Sequence, residues 1–110
     1  MIDFLQRLLR IGEYNEERTL GGERSGLWPR VRKNHLELNP KCAVCGTKKD
    51  LDVHHLVMFS VDKRLELSSE NLITLCTPHH FLFGHLLNWR TSNPQCAEDS
   101  GIWRDKIRAR

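Results

Sequence analysis

Two Cys/His pairs of equal spacing, Cys42-Ala-Val-Cys45 and Cys76-Thr-Pro-His79, together with His54, His55, His80 and His85, are the side chains of this sequence best suited to chemistry. Thiolates and imidazoles three positions apart can reach one tetrahedral metal, and Gly46 after the first pair permits the turn backbone this needs. The two pairs predict a closed structural site of Cys42, Cys45, Cys76 and His79. Cys96 competes for the fourth position, but it lies beyond Asn93-Pro94, whereas the spacing of His79 from Cys76 repeats that of the first pair. Buried thiols without a metal are the plainer alternative.

The histidine doublet reads differently. Leu51-Asp-Val-His-His-Leu-Val alternates well enough for a strand, so His54 and His55 point to opposite sides of it. One can ligate a metal while its neighbour, free of metal, handles a proton. A lone histidine at a strand end is more often just a hydrogen-bonded side chain. That reading does not stretch to His54, His55, Asn71 and His80 together beside a Cys/His cluster. His85 follows His80 by five positions, and on an ideal helix it points about 140° away. It is therefore assigned to structure or phosphate contact rather than to a shared metal.

The stretch Asn71 to His85 must position these groups. Leu72 to Leu75 suit a buried strand. Thr77 can cap a following helix, and Pro78 suits its first position. Asn71, Cys76, His79 and His80 then crowd around one strand-to-helix junction. Phe81, Leu82, Phe83, Leu86, Leu87 and Trp89 read as core and a partly exposed flank, with packing favoured over DNA contact for Trp89-Arg90. Upstream, Trp28-Pro29 starts a helix running to about Leu38, and Asn39-Pro40 ends it. Residues 3–11 read as a short amphipathic helix ending at Gly12, and residues 12–26 as a glycine-rich connector. Ile102 to Arg110 is helical in pattern and basic at its finish. The expected organisation is an N-terminal helix and connector over 1–22, a central domain over 23–94, and a basic C-terminal helix over 95–110.

A chain of 110 residues with four cysteines and three tryptophans builds one small domain with a modest core, which a structural metal would help. No apolar run approaches a membrane span and no signal-peptide core is visible, so a soluble, cytoplasmic protein is expected. In a reducing compartment Cys-x-x-Cys beside histidines reads as a metal site rather than a disulfide. The net charge of +3 is small. Its distribution is uneven: Arg24, Arg30, Arg32, Lys33, Lys41, Lys48 and Lys49 face only Glu37 over residues 24–49. Such a segment could hold a polyanion near a bound cation. A solvated helix face is the commoner meaning of such a cluster.

In order and spacing, Cys42-x-x-Cys45, His54-His55, Asn71-Leu-Ile-Thr-Leu-Cys76 and His79-His80 resemble the HNH endonuclease family in its zinc-knuckle version. The resemblance runs from about Arg24 to Pro94. It implies an α+β, ββα-metal (treble-clef-like) domain with flanking helices, acting on DNA as a metal-dependent phosphodiester hydrolase. By the same resemblance His55 is the general base, and His54, Asn71 and His80 hold one divalent cation, with Asn71 alternatively orienting the loop. Cys42, Cys45, Cys76 and His79 hold structural zinc, and Arg24, Arg30, Arg32 and Lys33 contact DNA. Magnesium, manganese, nickel or zinc could serve at the active site. Double-strand cleavage would imply a homodimer. The fourth knuckle ligand, commonly cysteine in the family, is His79 here, and the glycine pair many members carry before the N is replaced by Met58 to Ser69. The alternative is a zinc-containing nucleic-acid-binding module without catalysis, or an interaction module that zinc merely holds together.

Overall fold

The computed structural model describes residues 24–110, so the expected helix at 3–11 and most of the connector lie outside the described residues. Helix α1 spans Trp28–Leu38, with a proline in its first turn, and stops at Asn39, whose N–H returns to the His35 carbonyl. Its start has no side-chain cap. Arg30, Arg32 and Lys33 are exposed on it.

Strands β1 (Leu51–His55) and β2 (Leu72–Cys76) form a two-stranded antiparallel sheet, with Asp52 opposite Leu75 and His54 opposite Ile73. Alternation places Asp52 and His54 on one face, both buried, and His55 on the other. The expected strand runs on to Val57, yet β1 ends at His55. Asn71 takes over the next pairings there: its carbonyl accepts from Leu56 N–H at 2.8 Å and its side-chain oxygen from Val57 N–H at 2.7 Å. The loop between the strands contains two 3-10 turns, Lys63–Leu65 and Ser69–Asn71.

Beyond β2, a single helical turn, α2 (Thr77–His79), opens into a π-helical segment over His80–Gly84. Thr77 was expected to cap this helix. It is instead its first residue, fully buried, and its hydroxyl donates to the Asp50 carbonyl at 3.2 Å, tying the helix start to the start of β1. The segment closes through Leu86 and Leu87, whose N–H groups reach the carbonyls of Leu82 and Phe81. Both leucines have left-handed backbones, with φ of 53° and 66°, and both are exposed. They belong to the flank, with Leu82, while Phe83 and Trp89 are buried.

Helix α3 spans Cys96–Arg108. Its first turn enters the core formed by Cys42, Val44, Leu75, Cys76, Phe83 and Cys96. Asn93 fastens this turn, donating to the Phe83 carbonyl and to Asp99 Oδ2. The whole is a small α+β fold compatible with a ββα-metal domain. No helix among the described residues is long and apolar enough to cross a membrane.

Candidate metal centres and active site

His54, His80 and His85 converge in the interior, at 3%, 5% and 8% exposure. His80 Nε2 lies 3.1 Å from His54 Nδ1 and 3.1 Å from His85 Nε2, and one nitrogen from each ring falls within 4.8 Å of the others. The far sides of two rings are fixed. His80 Nδ1–H donates to Asp52 Oδ2 at 3.2 Å, and His85 Nδ1–H donates to the Thr91 carbonyl at 2.7 Å. These partners set the tautomers and leave both Nε2 lone pairs facing inward, as outer-shell partners of ligating histidines do. A single proton could satisfy one of the two 3.1 Å contacts. A cation satisfies all three nitrogens at once, and metal–nitrogen bonds of about 2.0–2.1 Å place ligand atoms roughly 3 Å apart. The three residues could hold a metal ion.

The position of His85 corrects the expectation drawn from ideal helical geometry. A π-helical turn has a wider repeat than the 3.6-residue helix, so positions five apart come into line. The segment His80–Gly84 supplies that turn. Gly84 makes room for the cluster: a Cβ there would lie 3.0 Å from His80 Cδ2 and 3.1 Å from His54 Nδ1. Burial holds His54 well below the usual imidazole range, with His80 and His85 acting in the same direction. A neutral ring is the form that can ligate.

Asn71 stands elsewhere. Its oxygen accepts from Val57 N–H, and its amide nitrogen donates to the carbonyls of Val57 and Leu65 at 3.0 and 3.1 Å. Of the two roles the resemblance allows it, this geometry suits orienting the loop, and the third ring of the metal-competent cluster is His85.

His55, on the opposite face of β1, has its Nε2–H donating to the Glu66 carbonyl at 2.9 Å and its ring against Trp28, with centroids 4.4 Å apart. That bond leaves Nδ1 as the basic nitrogen. Burial, aided by the nearby Arg24 cation and partly opposed by the Glu66 carbonyl, lowers His55 to about 4. It is neutral at pH 7, with Nδ1 its unprotonated nitrogen.

Arg24 does not share the exposed setting of Arg30, Arg32 and Lys33. Its Nε donates to Glu66 Oε2 at 2.8 Å, with only 6% and 5% of the two side chains exposed. The guanidinium also sits 4.7 Å from the Phe59 ring and 5.7 Å from Trp28. Glu66 thus holds Arg24 through its carboxylate and His55 through its carbonyl. Its role is legible only once the loop is folded.

The second cluster is the one expected. Cys42, Cys45, Cys76 and His79 bring their Sγ and Nδ1 atoms within 4.8 Å of one another and could hold a metal ion. The separations of 3.9 Å for Cys45–Cys76, 3.6 Å for Cys42–His79 and 3.3 Å for Cys76–His79 match a tetrahedron with metal–sulfur bonds of about 2.3 Å. Gly46, at φ 77°, makes the turn, and Val44 N–H points at Cys42 Sγ. Contact with Cys76 lowers Cys42 below the usual thiol range, burial opposes this and backbone N–H groups assist it, so the environment favours the thiolate form that a metal takes. Cys96 is buried in the core, 4.0 Å from the Ser100 hydroxyl, and is not among these four.

Sequence reading passed over Asp52, Thr91 and Gly84. Asp52 had a signal, since it lies two positions before His54 on the same strand face. Thr91 and Gly84 act through a turn and a close approach that only the folded chain displays.

No curated protein and no solved structure matches the chain. Residues 42–87 match the family model described as HNH endonuclease, a span that contains both metal-competent clusters, His55 and Asn71. This match supports assigning the segment 42–87 to the HNH endonuclease family.

Proposed function

We propose that the protein is a metal-dependent endonuclease that hydrolyses DNA phosphodiester bonds, with His54, His80 and His85 holding one divalent cation and His55 acting as general base. The observation that carries this reading is the convergence of three buried imidazole nitrogens whose outward partners leave lone pairs facing one another. A divalent cation bound there would polarise the scissile phosphate and stabilise the leaving oxygen.

The chain's own residues supply the rest. His55 Nδ1 takes a proton from the attacking water while the Glu66 carbonyl holds the ring in one tautomer. Asn71 fixes the loop after β1 by clamping Val57 and Leu65, the latter next to the Glu66 carbonyl that holds that ring. Asp52 and Thr91 hold the ligand tautomers of His80 and His85. Cys42, Cys45, Cys76 and His79 would hold a structural zinc, which would tie the Cys42–Cys45 turn to the end of β2 and the helical turn after it. The exposed Arg30, Arg32 and Lys33 offer phosphate contacts along α1.

Incubation of supercoiled plasmid with the protein and magnesium, manganese, nickel or zinc tests this. Nicked or linear product that vanishes with chelator is expected. DNA shifted on a gel but never cut, under every metal, would replace the proposal with a zinc-held binding module.

A further inference from the structure

A cleft of about 380 Å³ opens between the knuckle, the end of α1, strand β2 and the last turns of α3. None of His54, His55, His80 and His85 lines it. Its volume lies at the lower end of ligand pockets, roughly 300–1,000 Å³. Lys41, Arg104 and Arg108 line its walls with His35 and no carboxylate, and the opposing charge comes from the knuckle sulfurs of Cys42 and Cys45, which a bound metal would partly neutralise. Among the described residues Lys41 and Arg108 have no ion pair, and Arg104 reaches only its exposed neighbour Asp105 at 3.3 Å.

Two further lining residues carry polar atoms that are buried and lack any hydrogen-bond partner, His35 Nε2 and Thr74 Oγ1. Thr74 is only 3% exposed. Buried polar groups are nearly always satisfied, and an orphan in a native fold signals a missing partner. A small ligand entering the cleft would give these atoms partners, and the surrounding cations favour one that is negatively charged. Leu72, Ile73 and Ile107 form an apolar wall beside the charges. Inorganic phosphate has no use for such a wall, whereas the sugar and base of a nucleotide do.

We infer that this cleft binds one nucleotide of a nucleic-acid strand, its phosphate held by Arg104, Arg108 and Lys41 and its sugar or base laid on the apolar wall. The site is separate from the histidine cluster and does not depend on cleavage.

Amide resonances of the zinc-loaded full chain carrying His55→Ala, which removes the proposed general base, are followed during titration with a thymidine hexanucleotide, thymidine 5′-monophosphate, thymidine and inorganic phosphate. The hexanucleotide should shift Thr74, His35, Arg104 and Arg108 together, the monophosphate should do so more weakly, and thymidine should leave them still. Adding Arg104→Gln and Arg108→Gln should weaken the hexanucleotide about tenfold and flatten its salt dependence by about 1.4 logarithmic units, as loss of two single-strand phosphate contacts requires. With His55 intact, the same two substitutions should leave hydrolysis of a small aryl phosphodiester unchanged, which separates this site from the metal centre. Resonance shifts confined to the histidine cluster, or equal affinity with and without the arginines, would overturn the inference. So would a cleft that takes the monophosphate or phosphate but not the hexanucleotide.

Discussion

The Nε2 atoms of His80 and His85 face each other at 3.1 Å, and each ring spends its other nitrogen on a partner behind it, Asp52 for the one and Thr91 for the other. Two lone pairs at that distance repel unless a cation lies between them. Replacing His85 by alanine should therefore cost the active-site cation at least about a hundredfold in affinity, measured by calorimetry with the knuckle kept loaded. Asp52→Asn should cost about 10- to 100-fold by loosening the His80 tautomer. Asn71→Ala should leave cation affinity within a few-fold, because its amide is engaged with Val57 and Leu65. Equal losses for Asn71→Ala and His85→Ala would return asparagine to the ligand set.

Gly84 gives an independent probe of the same centre. A methyl group there presses on His80 and on the Nδ1 edge of His54. Gly84→Ala should destabilise the fold by about 1–3 kcal/mol, the usual cost of overpacking, and weaken the cation with no ligand removed. Thermal melts with and without added metal read both effects. A variant as stable and as metal-avid as the wild type would show that the rings are not confined as described.

How far the sequence shows this site depends on which physical rule each residue obeys. The knuckle is legible because ligand spacing is a local constraint: Cys42, Cys45, Cys76 and His79 come together as two matched pairs. Strand alternation likewise separates His54 from His55, and the proline signals place the starts of α1 and α2. Three features are not legible. His85 joins the cluster through a π-helical turn, which the 3.6-residue period cannot anticipate. Arg24 looks like a surface cation until Glu66, forty-two positions later, folds back to bury it. Thr77 has the residue type of a cap, but the Asp50 carbonyl claims its hydroxyl.

Stability should fall with acid in a defined window. The folded state holds His54 and His55 below the ordinary histidine value of 6.5, His55 at about 4. The unfolded chain therefore binds protons first as pH drops, and stability is present above about 6.5 and drains toward about 4. Urea denaturation of metal-saturated protein across pH 4–8 should show this decline, and His55→Ala should reduce its slope. A flat profile would contradict the buried neutral setting of the doublet.

The knuckle and the core cysteine should part company on substitution. Cys45→Ser should release the structural metal and unfold the domain, since a small metallo-domain draws much of its folding free energy from the ion. Cys96→Ala should leave the metal content unchanged while lowering stability by about 1–2 kcal/mol for the buried thiol. Elemental analysis beside circular dichroism distinguishes them. Loss of one metal equivalent in Cys96→Ala would give it, rather than His79, the fourth ligand position.

The most direct test compares plasmid cleavage and cation affinity in wild type, His55→Ala and His85→Ala under one metal series. His55→Ala should keep the cation and lose cleavage by at least about 10²-fold, as expected for removal of a general base. His85→Ala should lose both together. Cleavage that survives in His55→Ala, or persists in His85→Ala at metal concentrations that leave its histidine site empty, would contradict a three-histidine cation centre served by His55.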